Sequence, residues 1–131
     1  MARITVINDS SEFLAVMDEL IVSMGHQMTG FHALYAALDD VVASRPDVMI
    51  LDLRLEDQRQ ATSGWELLAL ARAHDALRSV PVILCTADTA ELERRADELA
   101  QIADVHVRPK PFAIQEMTSL IDALLPRSAA L

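Results

Sequence analysis

The chain has 131 residues, 52% of them hydrophobic, but none of its apolar runs approaches the roughly 18 residues that a membrane-spanning helix requires. Acidic residues outnumber basic residues 20 to 11, and the net charge of −9 opposes the electrostatic attraction on which DNA and RNA binding depends. We therefore expect one cytoplasmic domain with a sizeable core, without a membrane span and without direct nucleic-acid binding.

Apolar runs and amphipathic runs alternate along the chain. The apolar runs predict buried strands at residues 3–7, 27–30, 47–51, 81–86 and 104–107. Helical apolar spacing predicts a first helix from Ser10 or Ser11 to Gly25, then helices around residues 34–42, 64–74, 89–102 and 114–125. Such regular alternation predicts a parallel sheet covered by helices on both faces.

Polar residues lie at the carboxyl ends of four of the predicted strands, and they are Asn8 with Asp9, then Asp52, Thr86 and Lys110. Ligands of parallel sheets bind at the carboxyl ends of the strands, so we expect these side chains to meet. Asp52 ends the apolar run VMIL, where an unpaired buried carboxylate is costly. Two carboxylates favour a hard cation such as Mg²⁺ or Mn²⁺ over zinc, and Lys110 would supply a further positive charge.

This ordered set resembles the receiver domains of two-component response regulators. The resemblance covers essentially the whole chain and rests on the segments Asn8-Asp9, Asp52, Thr86-Ala87 and Lys110-Pro111-Phe112. It implies a flavodoxin-like (βα)5 three-layer sandwich whose five-stranded parallel sheet has the order 2-1-3-4-5. We expect a stand-alone receiver domain at residues 1–126 and a short tail at residues 127–131.

The resemblance also implies a site for Mg²⁺ or Mn²⁺ beside a phosphoacceptor. Asp52 would accept a phosphoryl group from a histidine kinase or a phosphotransfer protein. The metal would be held by Asp9, by Asp52, by the backbone carbonyl of Arg54 and, through a water molecule, by Asn8. The protein would then be a magnesium-dependent phosphoacceptor rather than a conventional enzyme.

Three further expectations follow from the same resemblance. Thr86, Ala87 and Lys110 would bind the phosphoryl group, and the bond between Lys110 and Pro111 would be cis. The signal would pass to a protein partner through the face formed by the fourth helix, the fifth strand and the fifth helix. A homodimer is one form that such contacts could take.

Some positions depart from the family pattern. Asn8 stands where an acidic residue is common, so metal affinity should be lower. Val107 replaces the expected switch aromatic, so the usual threonine–aromatic relay cannot operate as such. These two residues leave a second hypothesis open, namely a receiver-like interaction module that no longer depends on phosphate. A flavin- or nucleotide-binding protein is disfavoured because no glycine-rich loop follows the first strand.

Two charged residues flank the predicted site. Arg54 lies two residues after Asp52, and Asp88 lies two residues after Thr86. If the two side chains pair across the entrance, they would hinder the attacking water and slow self-dephosphorylation. The alternative is that both point independently into solvent, as surface charges often do.

The other chemically distinctive side chains receive structural interpretations. The four histidines show no metal-ligand spacing. Cys85 lies in the apolar run PVILC and is interpreted as a small hydrophobic core residue. Trp65 is expected to pack at the edge of the third helix.

Overall fold

A computed structural model of the protein describes residues 2–32, 38–52 and 64–125. Within these ranges five strands form one parallel sheet of order β2-β1-β3-β4-β5. The strands are β1 (Arg3–Ile7), β2 (Gln27–Phe31), β3 (Val48–Leu51), β4 (Val82–Thr86) and β5 (Val105–Pro109). The helices are α1 (Ser11–Ser23), α2 (Leu38–Ala43), α3 (Gly64–Ala73), α4 (Thr89–Arg94), α5 (Ala96–Ala100) and α6 (Ile114–Leu124). The predicted flavodoxin-like topology is confirmed.

Helices cover both faces of the sheet. Because successive strand residues point to opposite sides, each strand contributes side chains to both helix-covered faces. One face buries Ile4, Val6, Ile50 and Ile83 against α1 and α6, which contribute Met17, Ile21, Met117 and Ile121 to that cluster. The other face buries Ile7, Met49, Leu51 and Leu84 against α2 and α3, mainly through Val41, Leu67 and Leu68. The strands in the middle of the sheet are therefore mostly apolar on both sides. Within β1 the exceptions are Arg3 at its exposed start and the buried Thr5, whose hydroxyl hydrogen-bonds the Ser44 hydroxyl at 2.7 Å, and the other polar residues fall at the carboxyl edge.

The start of α1 follows the prediction closely. Ser10 is the N-cap, and its hydroxyl oxygen accepts a hydrogen bond from the Phe13 backbone N–H at 3.2 Å. The chain turns after this helix at Gly25, whose φ of 85° lies in the left-handed region that favours glycine.

The predicted fourth helix was wrong as a single element. The chain forms α4 and α5 with a break at Arg95, whose backbone angles are φ −104° and ψ 11°. The Arg95 guanidinium stacks over the Trp65 ring at 4.3 Å and pairs with Glu91. Apolar periodicity indicates which face of a helix is buried. It does not indicate a change of backbone angles at one residue, so the break at Arg95 was not predicted.

Strand β5 continues two residues beyond its predicted end and pairs Pro109 with Thr86. Proline is tolerated there because β5 lies at the edge of the sheet. Residues 34–37 of the predicted second helix and the predicted tail at residues 127–131 lie outside the described residues. In the part of the chain that the structure describes, no helix is long and apolar enough to cross a membrane.

Candidate functional site

The carboxyl edge of the sheet carries a cleft of about 400 Å³. The residues that line it come from the ends of β1, β3 and β4 and from the segment after β5, and they are Asn8, Asp9, Ser10, Asp52, Thr86, Ala87, Asp88 and Lys110. The side chains that the sequence predicts to converge therefore share one cleft. Arg54 lies outside the described residues. The metal contact predicted for its backbone carbonyl and the gating role predicted for its side chain therefore stay predictions.

Asp52 is the most buried carboxylate of the cleft, with 7% of its surface exposed. Its backbone N–H donates to the Ile7 carbonyl at 3.3 Å, which continues the pairing of β3 with β1. Its Oδ2 accepts a hydrogen bond from Lys110 Nζ at 3.1 Å and a longer one from Asn8 Nδ2 at 3.4 Å. A cation and an amide thus compensate the carboxylate that ends this apolar strand.

Lys110 reaches the cleft from the segment after β5. Its backbone N–H donates to the Thr86 carbonyl at 2.9 Å, which ties it to the end of β4. The Lys110–Pro111 peptide bond is cis, the isomer that the sequence predicts. Lys110 Nζ also lies 4.5 Å from the centroid of the Phe13 ring.

The Asn8 amide is fully buried and has a fixed orientation. Its Oδ1 accepts the Ser10 backbone N–H at 2.8 Å, which directs Nδ2 toward Asp52. The reverse orientation would place Oδ1 against the carboxylate and an N–H₂ group against the Ser10 N–H. Asn8 therefore presents a hydrogen-bond donor to Asp52, and its predicted contact with a metal-bound water depends on the remaining lone pair of Oδ1.

Thr86 connects the cleft to the start of α4. Its Oγ1 accepts the Asp88 backbone N–H at 3.1 Å, and a hydroxyl that accepts one hydrogen bond still has its own proton to donate. Asp88 is the N-cap of α4, because its Oδ1 accepts the Glu91 backbone N–H at 3.0 Å. The sequence interpretation gave Asp88 only a gating role and missed this cap, although an aspartate directly before a predicted helix was the available signal.

Val107 is half-buried and packs with Trp65 against the apolar cluster on the α2 and α3 side of the sheet. The predicted packing role of Trp65 is confirmed. The contact between Trp65 and Arg95 joins α3 to the break between α4 and α5.

Cys85, His26 and His74 have structural surroundings. Burial raises the pKa of the Cys85 thiol to about 12, which keeps it protonated and unreactive at neutral pH. His26 Nδ1 accepts the Ala2 backbone N–H at 3.1 Å, and His74 Nδ1 accepts the Ala76 backbone N–H at 3.0 Å. Across residues 2–32, 38–52 and 64–125, no three His, Cys, Asp or Glu side chains are grouped to hold a metal ion.

The oxygen donors of the cleft nevertheless suit one kind of metal. Asp9 and Asp52 supply two carboxylates to the cleft, and the remaining positions around a cation would be filled by water. Mg²⁺ typically keeps several waters and binds through one or two carboxylates, whereas protein zinc sites use three or four protein ligands, usually including His or Cys. The residues present fit Mg²⁺.

Comparison with known proteins agrees with this geometry. The sequence profile of the response regulator receiver domain matches residues 4–122. The transcriptional regulatory protein PrrA of Mycobacterium leprae is 29% identical over 133 residues, which cover 98% of this chain and 52% of that protein. The response regulator MprA of Mycobacterium avium is 29% identical over 126 residues, 96% of this chain and 52% of its own. The chain thus spans about half the length of these curated relatives.

Solved structures show the same fold. The receiver domain of the Francisella response regulator 1452 superposes with a TM-score of 0.80 at 21% identity, covering 98% of this chain and 99% of its own. The receiver domain of the sensor histidine kinase PA1611 from Pseudomonas aeruginosa, determined with magnesium coordinated in its active site cleft, gives a TM-score of 0.73 at 23% identity. It covers 94% of this chain and 96% of its own.

Proposed function

The chain belongs to the response regulator receiver domains, and from this premise we propose that Asp52 accepts a phosphoryl group from a histidine kinase or a phosphotransfer protein. The observation that carries the proposal is the contact of Asp52 Oδ2 with Lys110 Nζ at 3.1 Å inside the cleft. A buried carboxylate beside a fixed cation and at the mouth of a cleft is suited to nucleophilic attack on phosphorus.

In the proposed reaction, a carboxylate oxygen of Asp52 forms a bond to phosphorus while the phosphorus–nitrogen bond of a phosphohistidine breaks. The product is an acyl phosphate, and the histidine nitrogen leaves with the bonding electron pair. Lys110 would stabilise the charge on the phosphoryl oxygens, and the Thr86 hydroxyl would donate a hydrogen bond to one of them. Mg²⁺, held by Asp9, Asp52 and the Arg54 carbonyl, would supply further positive charge at this point.

We further propose that the modified state is transmitted to a protein partner from the face formed by α4, α5, β5 and α6. The hydrogen bonds from Asp88 to Thr86 and from Glu91 to Asp88 support this, because they link the cleft directly to the N-terminus of α4. This connection does not involve an aromatic residue at position 107. The gate formed by Arg54 and Asp88, the resulting slow dephosphorylation and a homodimer stay predictions.

The test is phosphorylation by a small phosphodonor with Mg²⁺, read by intact mass in the wild type and in Asp52→Asn. We expect the mass of one phosphoryl group to appear in the wild type and to be absent from the variant. Asp52→Asn keeps the size of the side chain, so a lost signal reflects the missing carboxylate. If the wild type gains no mass at any Mg²⁺ concentration, the phosphorylation-independent interaction module replaces this proposal.

The variant Asn8→Asp is expected to bind Mg²⁺ on the order of tenfold more tightly than the wild type. The change replaces an amide donor 3.4 Å from Asp52 Oδ2 with a third carboxylate, which increases the attraction for a divalent cation. A calorimetric Mg²⁺ titration measures the difference.

The control for this titration is Gln27→Glu, which adds the same charge at an exposed position at the amino end of β2. It should bind Mg²⁺ as the wild type does. Equal affinities of Asn8→Asp and the wild type would show that the residue at position 8 does not limit metal binding.

A further inference from the structure

The Lys110 ammonium lies between a carboxylate and an aromatic ring. Its Nζ is 3.1 Å from Asp52 Oδ2 and 4.5 Å from the centroid of the Phe13 ring. An ammonium within about 6 Å of a ring centroid is attracted by the negative face of the π-system. Only 24% of the Lys110 side chain is exposed, so water competes weakly with both partners.

Phe13 is held in place by one contact of its backbone and one contact of its ring. Its backbone N–H is fixed in the first turn of α1 by the Ser10 cap, which directly follows Asp9. Its ring meets Phe112 in an edge-to-face arrangement, with centroids 6.4 Å apart and planes at 85°. Because Phe112 lies two residues after Lys110, this contact joins the start of α1 to the segment that carries the lysine.

A ring partner suits this cleft for an electrostatic reason. Lysine has a flexible stem, so the ammonium can occupy several positions when a single carboxylate is its only contact. Asn8 is a neutral amide and turns its Nδ2 donor toward Asp52, so it adds no negative group that would fix the ammonium further. The face of a phenyl ring attracts the cation without accepting its proton and without competing for a metal ion.

We propose that Phe13 is a positioning residue that holds the Lys110 ammonium against Asp52 by a cation–π contact. The proposal rests on the proposed phosphoacceptor function for its kinetic consequence, but the contact itself can be tested without phosphorylation. The sequence pattern places Phe13 on the core-facing side of α1, and the structure adds this second contact.

The contact is directly observable, because Lys110 is the only lysine in the chain. Protein labelled with ¹³C-lysine therefore gives a single set of lysine side-chain NMR signals. We expect the methylene signals next to Nζ to be shifted upfield by the ring current in the wild type and in Phe13→Tyr. They should return to the position of free lysine in Phe13→Leu. Identical shifts in the wild type and Phe13→Leu would overturn the proposal.

The kinetic consequence is tested by fluorinating the Phe13 ring at that site alone, since fluorine withdraws charge from the ring face and nearly preserves its shape. The rate of phosphorylation by a small phosphodonor should fall stepwise with each added fluorine, by roughly three- to tenfold in total. The same series at Phe31, which packs on the opposite face of the sheet, should leave the rate unchanged.

A rate that does not respond to fluorination at Phe13 would refute the positioning role. If the wild type accepts no phosphoryl group at all, the proposed function fails, and the lysine NMR signals still decide whether Phe13 holds Lys110.

Discussion

Replacing Lys110 with methionine is expected to slow phosphorylation of Asp52 by about 10²-fold or more, the usual effect of removing one preorganised charge-stabilising donor from an active site. Lys110 Nζ lies 3.1 Å from Asp52 Oδ2, close enough to contact a phosphoryl group attached to that carboxylate. Methionine keeps much of the length and apolar stem of the side chain. The measurement is the time course of the phosphoryl mass gain with saturating Mg²⁺ and phosphodonor.

Two variants make this prediction specific. Arg108→Met removes a positive charge two residues away, and the Arg108 guanidinium donates to the Val107 carbonyl at 2.8 Å, so the rate should stay close to that of the wild type. Lys110→Arg keeps the charge but not the compact ammonium, and should recover only part of the rate. If Lys110→Met and Arg108→Met slow the reaction equally, net charge rather than the local contact sets the rate.

Replacing Arg72 with methionine is expected to lower the free energy of unfolding by about 2 to 4 kcal/mol. Its guanidinium donates to four backbone carbonyls, those of Leu77 at 3.2 Å, Val80 at 2.8 Å, Ala103 at 3.1 Å and Asp104 at 3.1 Å. These bonds join the connection after α3 to the connection before β5. Methionine cannot donate to any of the four carbonyls, so they lose their charged partner.

Burial lowers the pKa of the Arg72 guanidinium, and attraction to Asp104 opposes that shift, so the arginine stays charged at neutral pH. The contacts lie at the amino ends of β4 and β5, at the edge opposite to the cleft. Phosphorylation of the folded variant should therefore be preserved. Urea denaturation followed by the fluorescence of Trp65, the only tryptophan in the chain, measures the loss of stability.

Arg78→Met is the matched control for this measurement. Arg78 pairs with Asp75 at 3.5 Å, and the two side chains are 64% and 92% exposed. Such a surface pair contributes less than about 1 kcal/mol. Equal destabilisation by the two substitutions would mean that the four carbonyl contacts of Arg72 add no more than an ordinary surface charge does.

The sequence by itself determined the fold class and which strand-end residues line the cleft. Hydrophobic periodicity predicts the alternating strands and helices because it reports which side of each element is buried. In a parallel sheet this order places Asp9, Asp52, Thr86 and Lys110 at one edge, whatever the details of packing. The Ser10 cap and the convergence of these four residues could be predicted without tertiary information.

The tertiary structure alone decided how side chains from distant segments meet. The Asn8 amide is oriented by Ser10 toward Asp52, which lies 44 residues away. Arg72 binds carbonyls up to 32 residues away, and the helix that a regular apolar pattern predicts breaks at Arg95, beside Trp65. Phe13 meets Lys110 only because β1 and β5 are assembled into the same sheet. Periodicity is a local property of a segment, whereas these contacts depend on the relative positions of segments that only the folded backbone brings together.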